Sequence, residues 1–247
     1  MKDGTPLYGS VAPLRNVEAL VELIRLVQHR EHGLPGMACF YGPSGYGKTT
    51  AAVYAANAYG AYQVQVKSCW TRKKLCTAVL EDLGIQPAKT IADMVDQIAE
   101  GLARSGRPLL VDEADHLVAR QMIEIVRDIH EASGSPVILI GEEQMPLKLQ
   151  QWERVHGRML KWVAAEPATF EDVGFLAPIY CPRVELDETL QRRLLEESSC
   201  SVRRISINLD RVKEYARARG LARVAAADFA DQPFFTGAAP APRRMPR

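Results

Sequence analysis

Gly42-Pro43-Ser44-Gly45-Tyr46-Gly47-Lys48-Thr49 spells G-x-x-x-x-G-K-T, a spacing that binds phosphate. Its glycines let successive backbone N–H groups close around an anion, and a helix starting there aims its positive end at the same charge. Lys48 is placed to reach the β- and γ-phosphates of a nucleoside triphosphate, and the Thr49 hydroxyl to hold Mg²⁺. Pro43, Ser44, Tyr46 and Thr50 complete the expected cradle. A Gly-rich turn with a surface lysine is the plain alternative, but it leaves the apolar run before the motif and the helix-forming run after it unexplained.

A second motif fits the first. Arg107-Pro108-Leu109-Leu110-Val111-Asp112-Glu113 is a short apolar run ending in two carboxylates, the Walker B pattern. A buried strand would deliver Asp112 to the Mg²⁺ shell and set Glu113 to polarise a water attacking the γ-phosphate. Asp112-Glu113-Ala114-Asp115 also spells the D-E-A-D string of two-domain helicases. At 247 residues the chain has length for one such domain and a small appendage, so that reading is set aside.

These motifs need a parallel sheet to hold them. The periodicity predicts a helix over residues 16–30, with Asn16 as its N-cap and Val17, Leu20, Leu23, Ile24 and Val27 on one face. Strands are expected at 37–41, 61–67, 109–112, 136–140 and 159–165, with helices between them, including one over 117–133. Such alternation makes an α/β fold, a five-stranded parallel sheet flanked by helices. After Pro167 helical segments take over at 170–177, 187–198 and 202–219. The expected organisation is a nucleotide-binding core over 1–168, a small C-terminal helical lid over 169–230 and a disordered tail over 231–247, rich in Gly, Ala and Pro. Residues 1–14 read as extended chain.

With 47% hydrophobic residues the chain can bury an ordinary core, and a net charge of +1 confines any nucleic-acid contact to a local patch. Five scattered cysteines form no C-x-x-C pair and read as reduced thiols. The absence of a signal peptide and of a membrane-length apolar run points to a soluble, cytoplasmic protein.

Arginines distinguish one class of P-loop protein from another. Arg154 and Arg158 precede the fifth strand, where an arginine can reach a γ-phosphate held by a neighbouring subunit, and Arg158 is the nearer to the strand. Arg203 opens a lid helix, where its charge opposes the helix dipole unless phosphate offsets it. A solvated basic helix end is the alternative in each case.

The layout as a whole resembles AAA+ ATPases, and among them the group of phage Mu transposition protein B, TnsC and TniB. The resemblance covers roughly residues 10–225 and rests on the P-loop, Leu-Val-Asp-Glu-Ala-Asp-His-Leu, Val-Ile-Leu-Ile-Gly-Glu-Glu, Glu-Arg-Val-His-Gly-Arg and Ser-Val-Arg-Arg-Ile. It implies a Mg²⁺-dependent ATPase that assembles on double-stranded DNA as an oligomer or helical filament. That assembly would deliver target DNA to a DDE-type transposase, in a bacterial host cytoplasm if phage- or transposon-encoded. It also implies that Asn16 and Arg203 join the nucleotide site. In this family the region of Lys67, Arg72, Lys73 and Lys74 lines the filament pore and contacts DNA backbone without reading sequence. Lys148, Arg154 and Lys161 are weaker DNA candidates, and Trp70 is expected to pack rather than stack.

Two features depart from the family. Gly141-Glu142-Glu143 stands where its members carry Asn, Thr or Ser as a phosphate sensor. The chain also begins almost at the ATPase core, so any DNA contact is expected on the AAA+ body. A helicase loader or initiator of the IstB kind shares every motif, and a monomeric small-molecule kinase shares the P-loop. A non-hydrolysing scaffold fits poorly with intact Lys48, Asp112 and Glu113.

Overall fold

Leu109–Asp112 and Val137–Gly141 are buried along their whole length, as strands covered on both faces must be. A computed structural model of the chain describes residues 14–239. The extended segment expected before residue 14 and the last eight residues of the tail lie outside them. The described chain falls into two units, Arg15–Glu166 and the chain from Pro167 onward.

In the first unit the elements run α1 (Arg15–Gln28), β1 (Met37–Tyr41), α2 (Lys48–Tyr59), β2 (Tyr62–Gln65), α3 (Arg72–Leu83), α4 (Ile91–Ser105), β3 (Leu109–Asp112), α5 (Asp115–Ala119), α6 (Ile123–Ser133), β4 (Val137–Gly141), α7 (Met145–Gln150), α8 (Glu153–His156) and β5 (Met159–Ala164). Five strands form one sheet in the order β2-β3-β4-β1-β5, and every pairing is parallel. The fully buried strands β3 and β4 lie inside, and the part-exposed β2 and β5 take the edges. All strands point the same way, so the turns after β1, β2, β3 and β4 gather on one edge, where open α/β sheets bind ligands.

Local chemistry sets the helices. Thr71 caps α3 by accepting the Lys74 N–H, and Thr90 caps α4 by accepting that of Asp93. α1 buries Val17, Leu20, Leu23, Ile24 and Val27, the face read from its periodicity. The single helix expected over 117–133 is two, α5 and α6, because Gln121 turns left-handed between them with φ 54°.

The second unit holds α9 (Phe170–Tyr180), β6 (Glu185–Leu186), α10 (Glu188–Glu197), α11 (Val202–Arg219) and β7 (Arg223–Val224). A capping box at Thr169 and Asp172 starts α9. The pair β6–β7 has too short a pattern to show in sequence. Phe234 and Phe235, in the stretch read from sequence as the start of a disordered tail, pack here. Asn208 brackets Phe235, with Oδ1 accepting its N–H at 2.7 Å and Nδ2 donating to its carbonyl at 3.1 Å, and the Phe234 ring stacks 5.2 Å from that of Phe229.

Candidate nucleotide site and its basic neighbour

β1 ends at Tyr41 and the phosphate loop runs from it to α2. Gly47 precedes α2 with φ 84°, a left-handed conformation that costs a side-chain-bearing residue about 1–2 kcal/mol. No side chain caps α2, so its first amides are open to an anion at that end. Lys48 folds back over the loop, and its ammonium donates to the carbonyls of Gly42 (2.6 Å) and Pro43 (2.9 Å). Burial holds that ammonium below its ordinary range, while the carboxylates of Glu113, Asp112, Asp115 and Glu142 oppose the shift.

β3 lies two strands from β1 with β4 between them, and it delivers Asp112 and Glu113 to the same edge. Asp112 is buried. Its Oδ1 accepts the Glu113 N–H at 2.9 Å, and its Oδ2 has no hydrogen-bond partner. Burial pushes its carboxyl up, against the Thr49 hydroxyl, the Glu113 amide and the charge of Lys48. An orphaned carboxylate oxygen next to a threonine hydroxyl fits Mg²⁺, which binds through one or two protein oxygens plus waters and phosphates. No His/Cys/Asp/Glu cluster among the described residues could cage a metal by itself. Glu113 sits at φ 55°, in the left-handed region that residues other than glycine adopt only seldom.

Asn16 is not an N-cap. It lies inside α1, 4% exposed. Its Nδ2 donates to the carbonyls of Tyr46 and Glu166, both at 2.8 Å, and its Oδ1 accepts the Glu166 N–H at 2.9 Å. Both amide protons are therefore spent on backbone, and Asn16 ties α1 to the phosphate loop. A buried Asn at the second position of an amphipathic helix is the sequence signal for such a strut.

The arginines separate. Arg158 lies where β5 begins, its carbonyl accepting the Met37 N–H at 3.0 Å, at the opposite edge from the phosphate loop. The five residues of β1 put about 16 Å between those edges. Its guanidinium pairs with Glu131 on α6, both side chains being about half exposed. Arg158 cannot serve its own loop. Arg154, on α8, is exposed. Arg203 lies in the first turn of α11, in the second unit.

The basic cluster after β2 also divides. Lys73 bonds the Lys89 carbonyl at 3.2 Å and Lys74 pairs with Glu81 at 3.3 Å, both lysines lying in the first turn of α3. Lys67 is exposed on the turn. Arg72 donates to the Gln121 carbonyl at 3.4 Å across a groove lined by Trp70, Arg72, His116 and Arg120. Trp70 also packs on the core, as expected. Arg120, absent from the sequence reading, reaches this groove because the α5–α6 break turns it there. Lys148 is engaged by Asp115 and Glu142, and Lys161 is exposed on β5.

Residues 30–149 match the model of a family described as an AAA domain. No curated protein matches the chain in sequence. Among solved structures it is similar to the ORC1 protein of Aeropyrum pernix in complex with DNA, at 18% identity and TM-score 0.59, covering 85% of this chain and 61% of that one. The ORC2 protein of Aeropyrum pernix in its ADP form is similar at 15% identity and TM-score 0.63, over 92% of this chain and 70% of that one. Cdc6p from Pyrobaculum aerophilum is similar at 16% identity and TM-score 0.62, over 89% and 67%. The chain thus spans about three-fifths of the Aeropyrum ORC1 chain. The fold is that of an AAA+ P-loop ATPase. Among the described residues no helix is long and apolar enough to cross a membrane.

Proposed function

Because residues 30–149 match an AAA domain, we propose that this chain is a DNA-associated AAA+ ATPase that uses ATP as a switch for assembly on duplex DNA. Lys48 leaves the loop carbonyls for the β- and γ-phosphates, and the open end of α2 takes the remaining charge. Asp112 and Thr49 hold Mg²⁺, which offsets phosphate charge when bound. Glu113 orients the attacking water and takes its proton. Arg158, and Arg154 beside it, serve the phosphate of a neighbouring subunit, and Arg203 acts as a lid sensor. The Arg158–Glu131 pair is solvent-exposed and so weakly held, which leaves the guanidinium able to change partner on assembly.

One observation carries the DNA half of this reading. Arg72 and Arg120 meet across one groove on the same sheet edge as Glu113, and α5 joins that groove to the Walker B turn. Two guanidinium groups and the α3 N-terminus suit phosphate backbone, and Lys67 extends the track. The finer reading is that the assembly presents target DNA to a DDE-type transposase in the cytoplasm. The motif layout shared with the Mu B, TnsC and TniB group supports it. A second reading, an initiator or helicase loader, is supported by the likeness in fold to the archaeal ORC and Cdc6 proteins.

The test is binding of labelled random-sequence duplex by the full chain with ATP or ADP, followed by sedimentation. Tight, cooperative binding with ATP alone supports the switch, and equal binding with both nucleotides contradicts it. Stimulation of strand transfer by a transposase, or of helicase loading, then separates the two readings.

A further inference from the structure

β4 brings Gly141 and Glu142 beside both motifs. The Gly42 N–H donates to the Gly141 carbonyl (3.3 Å), and the Ala114 N–H, next to the Walker B pair, donates to the Ile140 carbonyl (2.9 Å). The first side chain beyond the strand is therefore an acid, at a place where three other carboxylates, Asp112, Glu113 and Asp115, already act on Lys48 together with it. A terminal phosphate arriving there adds more negative charge. Like charges brought together in a partly desolvated site repel far more strongly than in water. An uncompensated Glu142 would select against the very ligand that a P-loop serves.

The structure holds a compensating cation in place. Asp115 is 8% exposed. Its Oδ2 accepts the Glu142 N–H at 2.6 Å, and its Oδ1 accepts a hydrogen bond from Lys148 Nζ at 2.8 Å. The same ammonium lies 3.7 Å from Glu142 Oε2. A Cβ on residue 141 would stand 2.5 Å from Asp115 Oδ2, so glycine there is what lets the carboxylate sit under the turn. Lys148 is thus clamped over Glu142 by a buried acid fixed from two sides, unlike the free-ranging pairs of an exposed helix face. Its hydrogen bond to Asp115 also keeps the ammonium charged, above its ordinary range.

We infer that Lys148, clamped by Asp115, neutralises an acidic sensor residue, Glu142, and so sets the preference of the site for ATP over ADP. It is a positioning residue, acting on the γ-phosphate through Glu142. This inference rests on the nucleotide-binding reading above.

The test measures ATP and ADP dissociation constants at fixed Mg²⁺, with the melting temperature of the nucleotide-free protein, for wild type, Lys148→Met, Glu142→Gln and the double variant. Lys148→Met is expected to weaken ATP by roughly tenfold and ADP by less than about twofold, as a local charge effect requires. Adding Glu142→Gln restores most of the loss, because the acid that needed the cation is gone. Since Lys148→Met strips a partner from buried Asp115 and can harm folding, Glu142→Gln alone gives a second reading at an exposed side chain. It should raise the ATP-to-ADP preference a few-fold with no change in melting. An unchanged ATP-to-ADP ratio in both single variants, or a double variant no better than Lys148→Met, overturns the inference while leaving ATP binding intact. A wild type that binds neither nucleotide overturns the nucleotide reading itself, and the inference with it.

Discussion

Replacing Asn16 by Ala removes three hydrogen bonds at once. The Tyr46 carbonyl, the Glu166 carbonyl and the Glu166 N–H all lose their side-chain partner, at 2.8, 2.8 and 2.9 Å. Each such bond contributes about 1 kcal/mol net, so the variant should lose roughly 3 kcal/mol. For a domain of this size that lowers melting by about 6–12 °C. ATP binding should weaken several-fold as well, because the Tyr46 carbonyl no longer fixes the phosphate loop against α1. Asn16→Asp should be worse than Ala. It keeps the acceptor for Glu166 N–H but aims a second, charged oxygen at two carbonyls in a buried place. Urea unfolding of the nucleotide-free chain gives the stability term, and titration with ATP gives the other. If Asn16→Ala weakens ATP binding while nucleotide-free stability stays unchanged, Asn16 touches the nucleotide directly and the strut assignment is refuted.

Five further variants probe the account elsewhere. Glu113→Gln should keep ATP affinity and slow single-turnover hydrolysis by about 10²–10⁴, and loss of binding would mean that Glu113 shapes the site instead. His130 is buried, its Nδ1–H donates to the Ser135 carbonyl (2.8 Å), and burial first of all depresses its pKa below the ordinary 6.5. Above that pH it has no effect. As pH falls below it, the unfolded chain takes a proton the folded one resists, so stability drops by up to about 1.36 kcal/mol per pH unit. His130→Gln should flatten the loss between pH 6.5 and 5 in urea titrations, and parallel wild-type and variant curves would exclude this role. Arg72→Ala and Arg120→Ala should each weaken duplex binding alike for all sequences and lower the salt slope by about one, whereas Lys74→Ala, its cation already paired with Glu81, should change little.

Sequence alone carried the sheet, since continuous apolar strands and helical periodicity each leave a local pattern. β3, α11 and the buried face of α1 lie where the pattern puts them. It missed what depends on the fold being closed. Gln121 breaks a helix that periodicity would continue, because the break sits in one left-handed residue with no glycine or proline to mark it. Arg120 enters the basic groove only through that break. The pairing of Lys74 with Glu81 and of Lys148 with Asp115 is likewise invisible until α3 and α7 are placed. Asn16 looked like a cap because caps and buried struts share a residue type, and only the depth of the position tells them apart. The docking of Phe235 rests on Asn208, a polar residue within a helix whose partner lies 27 positions away.

Arg158 stands at the sheet edge opposite its own phosphate loop, and a shared site follows only if it works on a neighbour's nucleotide. The decisive measurement is therefore ATPase rate per molecule against protein concentration, with and without duplex DNA, for wild type and Arg158→Ala. The account predicts a cooperative rise with concentration and DNA in wild type, and its loss in the variant with melting nearly unchanged. A rate that stays flat, and ignores both DNA and Arg158, contradicts assembly and points to a site complete within one chain.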